Sequence, residues 1–244
     1  VYAHIGRGFE TPTLAELAYR TGATGPNLLL RAPRARHAEV GSKWRLGPTS
    51  RVELALFRID TDDELVVESN VSGRTTFRNA GRTRREGVEL AIQARLAPDW
   101  HAYAAASTLR ATFRDDVAGP AALASGNRLP GVPDRLAYGE IAWRPAAATG
   151  WGTPEIAVEL MHAGRIAVND ANSEFAEPHT RASLRAGVSQ RFGDWRVGML
   201  ARLENLTDRR HVGSVIVNDA NSRFYEPGPG RGWLIAASVS YHFR

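Results

Sequence analysis

Hydrophobic and polar residues alternate along most of the chain with a period of two, the spacing at which strand side chains point to opposite faces. The pattern is clearest over 84–97. There Val88, Leu90, Ile92, Ala94 and Leu96 share one face, and Glu89, Ala91, Gln93 and Arg95 the other. The end of the chain repeats it, with Trp233, Ile235, Ala237, Val239, Tyr241 and Phe243 against Leu234, Ala236, Ser238, Ser240 and His242. Ten such strands are predicted, at 1–8, 36–46, 50–60, 84–97, 100–113, 134–145, 153–163, 179–192, 194–206 and 231–243. Lengths near ten residues fit tilted strands that cross a bilayer, which need about 9–11. Strands of a soluble sandwich run more often to about five or six.

The connections alternate as well. Short turns (Gly47-Pro48-Thr49, Ala97-Pro98-Asp99, Ala146 to Gly152, Gly193-Asp194) take turns with long loops at 9–35, 61–83, 114–133, 164–178 and 207–230. One bare end and one loop-rich end is the asymmetry of outer-membrane barrels. Trp44, Trp100, Trp143, Trp151 and Trp195 all fall beside short turns, with Phe192, Tyr241 and Phe243, and only Trp233 falls beside a long loop. Rings gathered at strand ends fit an interfacial aromatic belt, whereas core aromatics would sit in mid-strand. The polar faces carry Gln93, Arg95, Arg181, Arg185, Arg202 and Glu204, too many charges for a dry core. The apolar faces are therefore expected to meet lipid and the polar faces a wet lumen.

Composition narrows this further. No apolar run reaches the about eighteen residues of a membrane-spanning helix. The absence of cysteine excludes disulfides, thiolate metal sites and cysteine catalysis. The net charge of +5 raises nucleic acid as a partner. Yet the arginines are scattered singly among Asp and Glu, so a solvated, internally paired surface is expected and no nucleic-acid partner. Val1 opens directly in strand pattern, as in a mature or internal piece.

Several stretches then resemble TonB-dependent outer-membrane receptors, in order and along the whole chain. They begin with Gly8, Phe9, Pro12, Thr13, Leu14, Glu16 and Leu17 of YAHIGRGFETPTLAEL. Glu39, Gly41 and Lys43 follow, then the acidic run Asp60, Asp62, Asp63 and Glu64, then Asn79, Gly81, Gly87 and Glu89. Leu129, Pro130 and Pro133 come next, with Asn205, Leu206, Asp208 and Arg209, and finally Glu226, Pro227, Gly230 and Arg231. The resemblance implies an all-β transmembrane antiparallel barrel of about 22 strands in the bacterial outer membrane, of which residues 1–244 supply the last ten. Two features depart from the family pattern: Arg244 follows the terminal aromatic Phe243, and the amino-terminal plug, through which the TonB complex acts, is absent. The function implied is uptake of a scarce nutrient, a ferric siderophore first. Haem, cobalamin, a copper chelate, a quinone cofactor or a glycan are the alternatives. A self-closing ten-stranded membrane enzyme is the rival from another class, and a soluble nucleic-acid binder a further one.

One internal repeat stands out. Residues 168–178 and 217–227 differ only at Glu174/Arg223 and Ala176/Tyr225. Asn and Asp make local turns and Pro opens a strand, so a duplicated structural element is expected for the Asn169-Asp170 and Asn218-Asp219 pairs. Arg165, Phe175, Arg223, Phe224 and Tyr225, in loops on a rigid scaffold, are the candidate ligand contacts. The membrane-interface belt is assigned to Trp44, Trp100, Trp143, Trp195, Trp233, Tyr241 and Phe243. The acidic run at 60–64 lacks the spacing of a calcium loop, and the seven histidines show no ligand spacing, so no metal site is expected. No phosphate loop, dinucleotide fingerprint or nucleophile elbow appears, so neither a cofactor nor an enzyme activity is expected.

Overall fold

The computed structural model describes residues 1–117, 123–145, 150 and 152–243. Its frame is a single ten-stranded antiparallel sheet in which the strands follow one another in chain order. These are β1 (Tyr2–Phe9), β2 (Arg34–Leu46), β3 (Ser50–Asp62), β6 (Thr83–Ala97), β7 (Trp100–Phe113), β8 (Arg135–Trp143), β9 (Thr153–Ala163), β12 (His179–Phe192), β13 (Trp195–Glu204) and β16 (Gly232–Tyr241). All ten coincide, within a few residues at each end, with the predicted segments. Six short strands lie within the long connections: β4 (Leu65–Val71) with β5 (Arg74–Asn79), β10 (Ile166–Ala167) with β11 (Phe175–Ala176), and β14 (Val212–Val215) with β15 (Tyr225–Pro227). A one-turn helix, α1 (Leu14–Leu17), is closed by a capping box in which the Glu16 amide donates to Thr13 Oγ1 and the Thr13 amide to Glu16 Oε2. The Thr-x-x-Glu spacing of the opening motif is thus a helix start.

Register carries each face across the sheet. One row runs Trp44, Val52, Ile92, Ala104, Gly139, Leu160 and Ala182. The next runs Lys43, Glu53, Ala91, Ala105, Tyr138, Met161 and Arg181 on the opposite face. Among the described residues nothing packs over the apolar face: Leu90 and Leu184 are 37% exposed and Val239 63%. A soluble sandwich would bury these side chains, so the sheet is a membrane wall. The buried clusters lie at the long-loop end instead. One joins Ala80, Ala111, Phe113, Leu123 and Leu129, the other Val168, Ala176 and Phe224.

Trp44, Trp100, Trp143, Trp195 and Tyr241 all stand on the apolar face at the short-turn end, with Trp100 opposite Trp143 and Trp195 opposite Tyr241. The Trp195 and Tyr241 ring centroids are 4.9 Å apart, and Tyr241 and Phe243 meet edge to face at 4.8 Å. Trp233 stands on the same face at the loop end. Trp151 and Arg244 lie outside the described residues. Strands β1 and β16 are the two edges of the sheet and are not paired with each other. A barrel closed by these ten strands alone is therefore not formed, and the edges have the open hydrogen-bonding groups that further strands would satisfy.

Candidate functional site

The long loops do not hang separately. The hairpin β4–β5 turns at Ser72 and Gly73, both with positive φ (50° and 80°), as a two-residue hairpin requires. Its flank is tied to the loop between β13 and β16 by the Asn70 amide donating to the Asn218 carbonyl (3.1 Å) and the Ala220 amide to the Asn70 carbonyl (3.0 Å). Asn218 Nδ2 donates to the Val67 carbonyl at 2.6 Å, while Asn218 Oδ1 accepts from the Asp170 amide at 3.0 Å. Arg78 of β5 reaches Asp170 at 3.1 Å, and Asn127 donates to the Asp170 carbonyl at 2.9 Å. Asn172 and Arg128 exchange two further bonds, at 2.6 and 2.9 Å. Four long loops thus meet on the repeated Asn-Asp element.

Each copy of that element also makes its own turn. Asn169 Oδ1 accepts from the Ser173 amide, and Asp219 Oδ1 accepts from the amides of Asn221 and Arg223. The repeat is a clasp, the structural role its composition suggested. Burial pushes the Asp170 carboxyl above the ordinary carboxylate range, against the opposing pull of Arg78.

Three of the candidate contacts come together beside the clasp. The Arg165 guanidinium lies 4.1 Å from the centroid of Phe175, and the Tyr225 hydroxyl donates to Glu174 (3.1 Å) and the Phe175 carbonyl (3.3 Å). Burial, then the hydrogen bond to Glu174, raises the Tyr225 phenol above its ordinary range. Arg223 stands apart, exposed, 4.0 Å from Asp219. Phe224 packs against Val168 and Ala176 with 6% of its surface exposed, so its ring anchors the loop core rather than lining a surface. In sequence it is indistinguishable from Phe175, its counterpart in the repeat.

A second constellation lies on the polar face of β8, β9, β12 and β13, where Arg185 and Arg202, expected on the polar faces from periodicity, meet residues that were not. Arg185 contacts Glu140 at 2.8 Å, Glu159 at 3.3 Å and, closely, Glu155. Arg144 bridges Glu140 (3.0 Å) and Glu155 (3.1 Å), and Arg202 holds Glu159 at 2.6 Å. Arg202 also meets Glu204 at 3.0 Å, so three arginines and four carboxylates form one paired network on this wall. The missed signal was the glutamate on the polar faces of two adjacent strands, with Glu140 directly opposite Glu159.

The acidic run at 60–64 is divided among separate arginines. Asp60 pairs with Arg58 and Arg84, Asp62 with Arg36, Asp63 with Arg31 and Glu64 with Arg85. Among the described residues no three His, Asp or Glu side chains are grouped to hold a metal ion.

Comparison with known proteins agrees with this architecture. Residues 1–207 match the family described as TonB dependent receptor-like, beta-barrel. The pesticin receptor of Yersinia enterocolitica is 25% identical over 210 residues, covering 86% of this chain and 29% of that protein. Among solved structures, the ferric preacinetobactin receptor BauA of Acinetobacter baumannii superposes with a TM-score of 0.71 at 19% identity, over 98% of this chain and 33% of its own. The ferric yersiniabactin uptake receptor FyuA of Yersinia pestis gives 0.71 at 18% identity over 99% and 34%, and the copper transporter OprC 0.69 at 15% over 99% and 37%. The chain therefore spans about a third of the length of the proteins it matches, and at these identities the structures attest the fold alone. Barrels of this family reside in the bacterial outer membrane. On its residues 1–207 and its ten-stranded wall, the chain belongs to the TonB-dependent receptor family, as a portion of the β-barrel.

Proposed function

We propose that the protein carrying this chain is an outer-membrane receptor that takes up a ferric siderophore through its lumen, energised by the TonB complex acting on a plug. The observation that carries this is the joining of four external loops into one platform at the open end of a polar-walled sheet. That platform presents Arg165, Phe175 and Tyr225 as a group, with Arg223 nearby in sequence as a further exposed cation. A guanidinium over an aromatic ring beside a phenol suits an anionic, aromatic-bearing iron chelate. Phe224 supports the loop core beneath, and ligand contact is assigned to the other four. Relatives named as receptors for ferric preacinetobactin and ferric yersiniabactin support the same substrate class. The apolar face, with its belt of Trp44, Trp100, Trp143, Trp195, Trp233, Tyr241 and Phe243, meets the outer-membrane lipid. Residues 1–244 form a single segment of the barrel domain.

The test is radiolabelled-iron uptake by a receptor-deleted strain carrying the complete protein, with catecholate, hydroxamate and phenolate-thiazoline chelates offered separately. Uptake of one chelate that stops on loss of TonB supports the reading. Uptake of none of them, or TonB-dependent uptake of copper instead, overturns it.

A further inference from the structure

The short-turn end of the sheet sorts aromatics and cations to opposite faces at one height. Trp44, Trp143, Phe192 and Trp195 stand on the outward face there. Their chain neighbours Arg45, Arg144, Arg191 and Arg196 stand on the polar, lumenal face. Arg51, opposite Arg45, and Arg95, opposite His101, share that face at the same end. Tryptophan settles where hydrocarbon meets headgroups, so each outward indole fixes the depth of the guanidinium beside it. Each short hairpin, β2–β3, β6–β7, β8–β9 and β12–β13, thus sets at least one arginine at the lower mouth of the lumen.

Cations are in surplus at this mouth. Arg144 is already held by Glu140 and Glu155. Arg45, Arg95, Arg191 and Arg196 are exposed and make no ion pair among the described residues. Arg51 reaches Glu53 at 3.7 Å, a carboxylate that Lys43 also approaches at 3.6 Å. The short turns add two further carboxylates, Asp99 and Asp194. Arg95 and Arg191 each donate at 2.9 Å to a turn carbonyl, of Pro98 and Gly193. Those bonds hold the two heads at the mouth and leave further N–H donors on each. An open concavity of about 420 Å³ lies against Arg191, Arg196, Ser240 and His242. Higher in the lumen the signs are mixed, as around Arg185 and Arg202. A rim that only meets water would mix them too.

We propose that these arginines form an anion-selective mouth at the periplasmic end of the lumen, which draws the anionic iron chelate downward and holds it briefly as it leaves. Rings of Arg or Lys select anions in pores, and a guanidinium pairs with two anionic oxygens at once. A cleft lined by one sign of charge raises the local counter-ion concentration by about 10–10³-fold. This step is separate from recognition, because Arg165, Phe175 and Tyr225 stand at the opposite end of the sheet. The proposal rests on the reading of the protein as a ferric-siderophore receptor.

The complete protein, with any other cysteine replaced by serine, carries a nitroxide on Ser240→Cys, directly opposite Arg196. In detergent, its collisions with tris(oxalato)chromate, a trianion, are compared with those of a neutral nickel chelate. With the arginines intact, the trianion should be enriched at least about tenfold at low salt, and the excess should fade as salt rises. Arg45→Gln/Arg95→Gln/Arg191→Gln/Arg196→Gln should abolish the enrichment. Arg45→Lys/Arg95→Lys/Arg191→Lys/Arg196→Lys should keep it, which separates charge from the anchoring of turns. Heat-modifiable mobility on gels confirms that each variant is folded. In cells, the chelate that the wild type takes up should bind the Gln variant with unchanged affinity and enter at least about fivefold more slowly. Equal access of the two probes with the arginines intact overturns the proposal, as plug carboxylates neutralising the mouth would produce. Enrichment that survives the Gln changes, or uptake that they leave unchanged, overturns it as well. Failure of the receptor reading is distinct: the wild type then takes up no chelate, whatever the trianion does at residue 240.

Discussion

Replacing Asn218 tests the clasp most sharply, because this side chain serves two loops at once. Asn218→Ala deletes the bond to the Val67 carbonyl (2.6 Å) and the bond from the Asp170 amide (3.0 Å), while the backbone bonds of residue 218 remain available. It also places alanine at φ 53°, a conformation that Asn tolerates and Ala resists. Two hydrogen bonds at about 0.5–1.5 kcal/mol each, plus about 1 kcal/mol of backbone strain, give a loss of roughly 3 kcal/mol, or about 150-fold in the opening equilibrium. Asn218→Gly removes the same bonds without the strain and should lose about 2 kcal/mol. Hydrogen exchange at the Asp170 amide and along β4–β5 reads the opening directly. The expected order of protection is wild type, then Asn218→Gly, then Asn218→Ala, with β6 and β7 unchanged. Equal protection at Asp170 in all three would refute the clasp.

Arg185→Met removes the cation shared by Glu140, Glu155 and Glu159, leaving the first two to Arg144 and the third to Arg202. It should cost about 2 kcal/mol in detergent, less than the ~3–5 kcal/mol of a dry buried pair because water reaches this wall. Adding Glu159→Gln should recover part of the loss, and a melting midpoint unmoved by either change would contradict the network. The Arg82 guanidinium and amide hold the Asp115 carboxyl below its ordinary 3.8. A depressed carboxylate stabilises above the unfolded value and loses that contribution as pH falls through the folded one. Exchange at the Arg82 amide, corrected for intrinsic rate, should therefore be slow at neutral pH and accelerate only below about pH 4, and Asp115→Asn should abolish this dependence. Phe224→Ala should loosen the loop core by about 3 kcal/mol, seen as exchange along β14–β15. Tyr225→Phe should leave that exchange unchanged and weaken chelate binding; the reverse pattern would exchange their assigned roles.

The ten wall strands were legible because lipid on one side and water on the other impose strict alternation, as at Val88–Leu96. The hairpin β4–β5 was not, although Ser72-Gly73 flanked by Val66, Val67, Thr75 and Thr76 is a turn between β-branched runs. A strand that meets no lipid needs no apolar face, so its alternation is weak. Turn-forming roles for Asn169 and Asp219 followed from residue chemistry alone. The cross-loop roles of Asn218 and Asp170 did not, since their partners at Val67 and Arg78 lie 151 and 92 residues away. Phe175 and Phe224 occupy equivalent repeat positions, and only tertiary packing places one under a guanidinium and the other inside a core. The glutamates around Arg185 needed strand register, which periodicity alone does not supply.

Residues 1–244 contain no cysteine, so once any cysteine elsewhere in the complete protein is replaced by serine, labels placed here give the most direct test of the membrane wall. Single cysteines at residues 88 to 93 of β6 in the complete protein, spin-labelled in liposomes, report access to oxygen dissolved in lipid and to a water-soluble nickel chelate. Labels replacing Val88, Leu90 and Ile92 should favour oxygen, and those replacing Glu89, Ala91 and Gln93 the chelate. Uniform access at all six positions, whether to lipid or to water, would contradict a sheet with one greasy and one wet face.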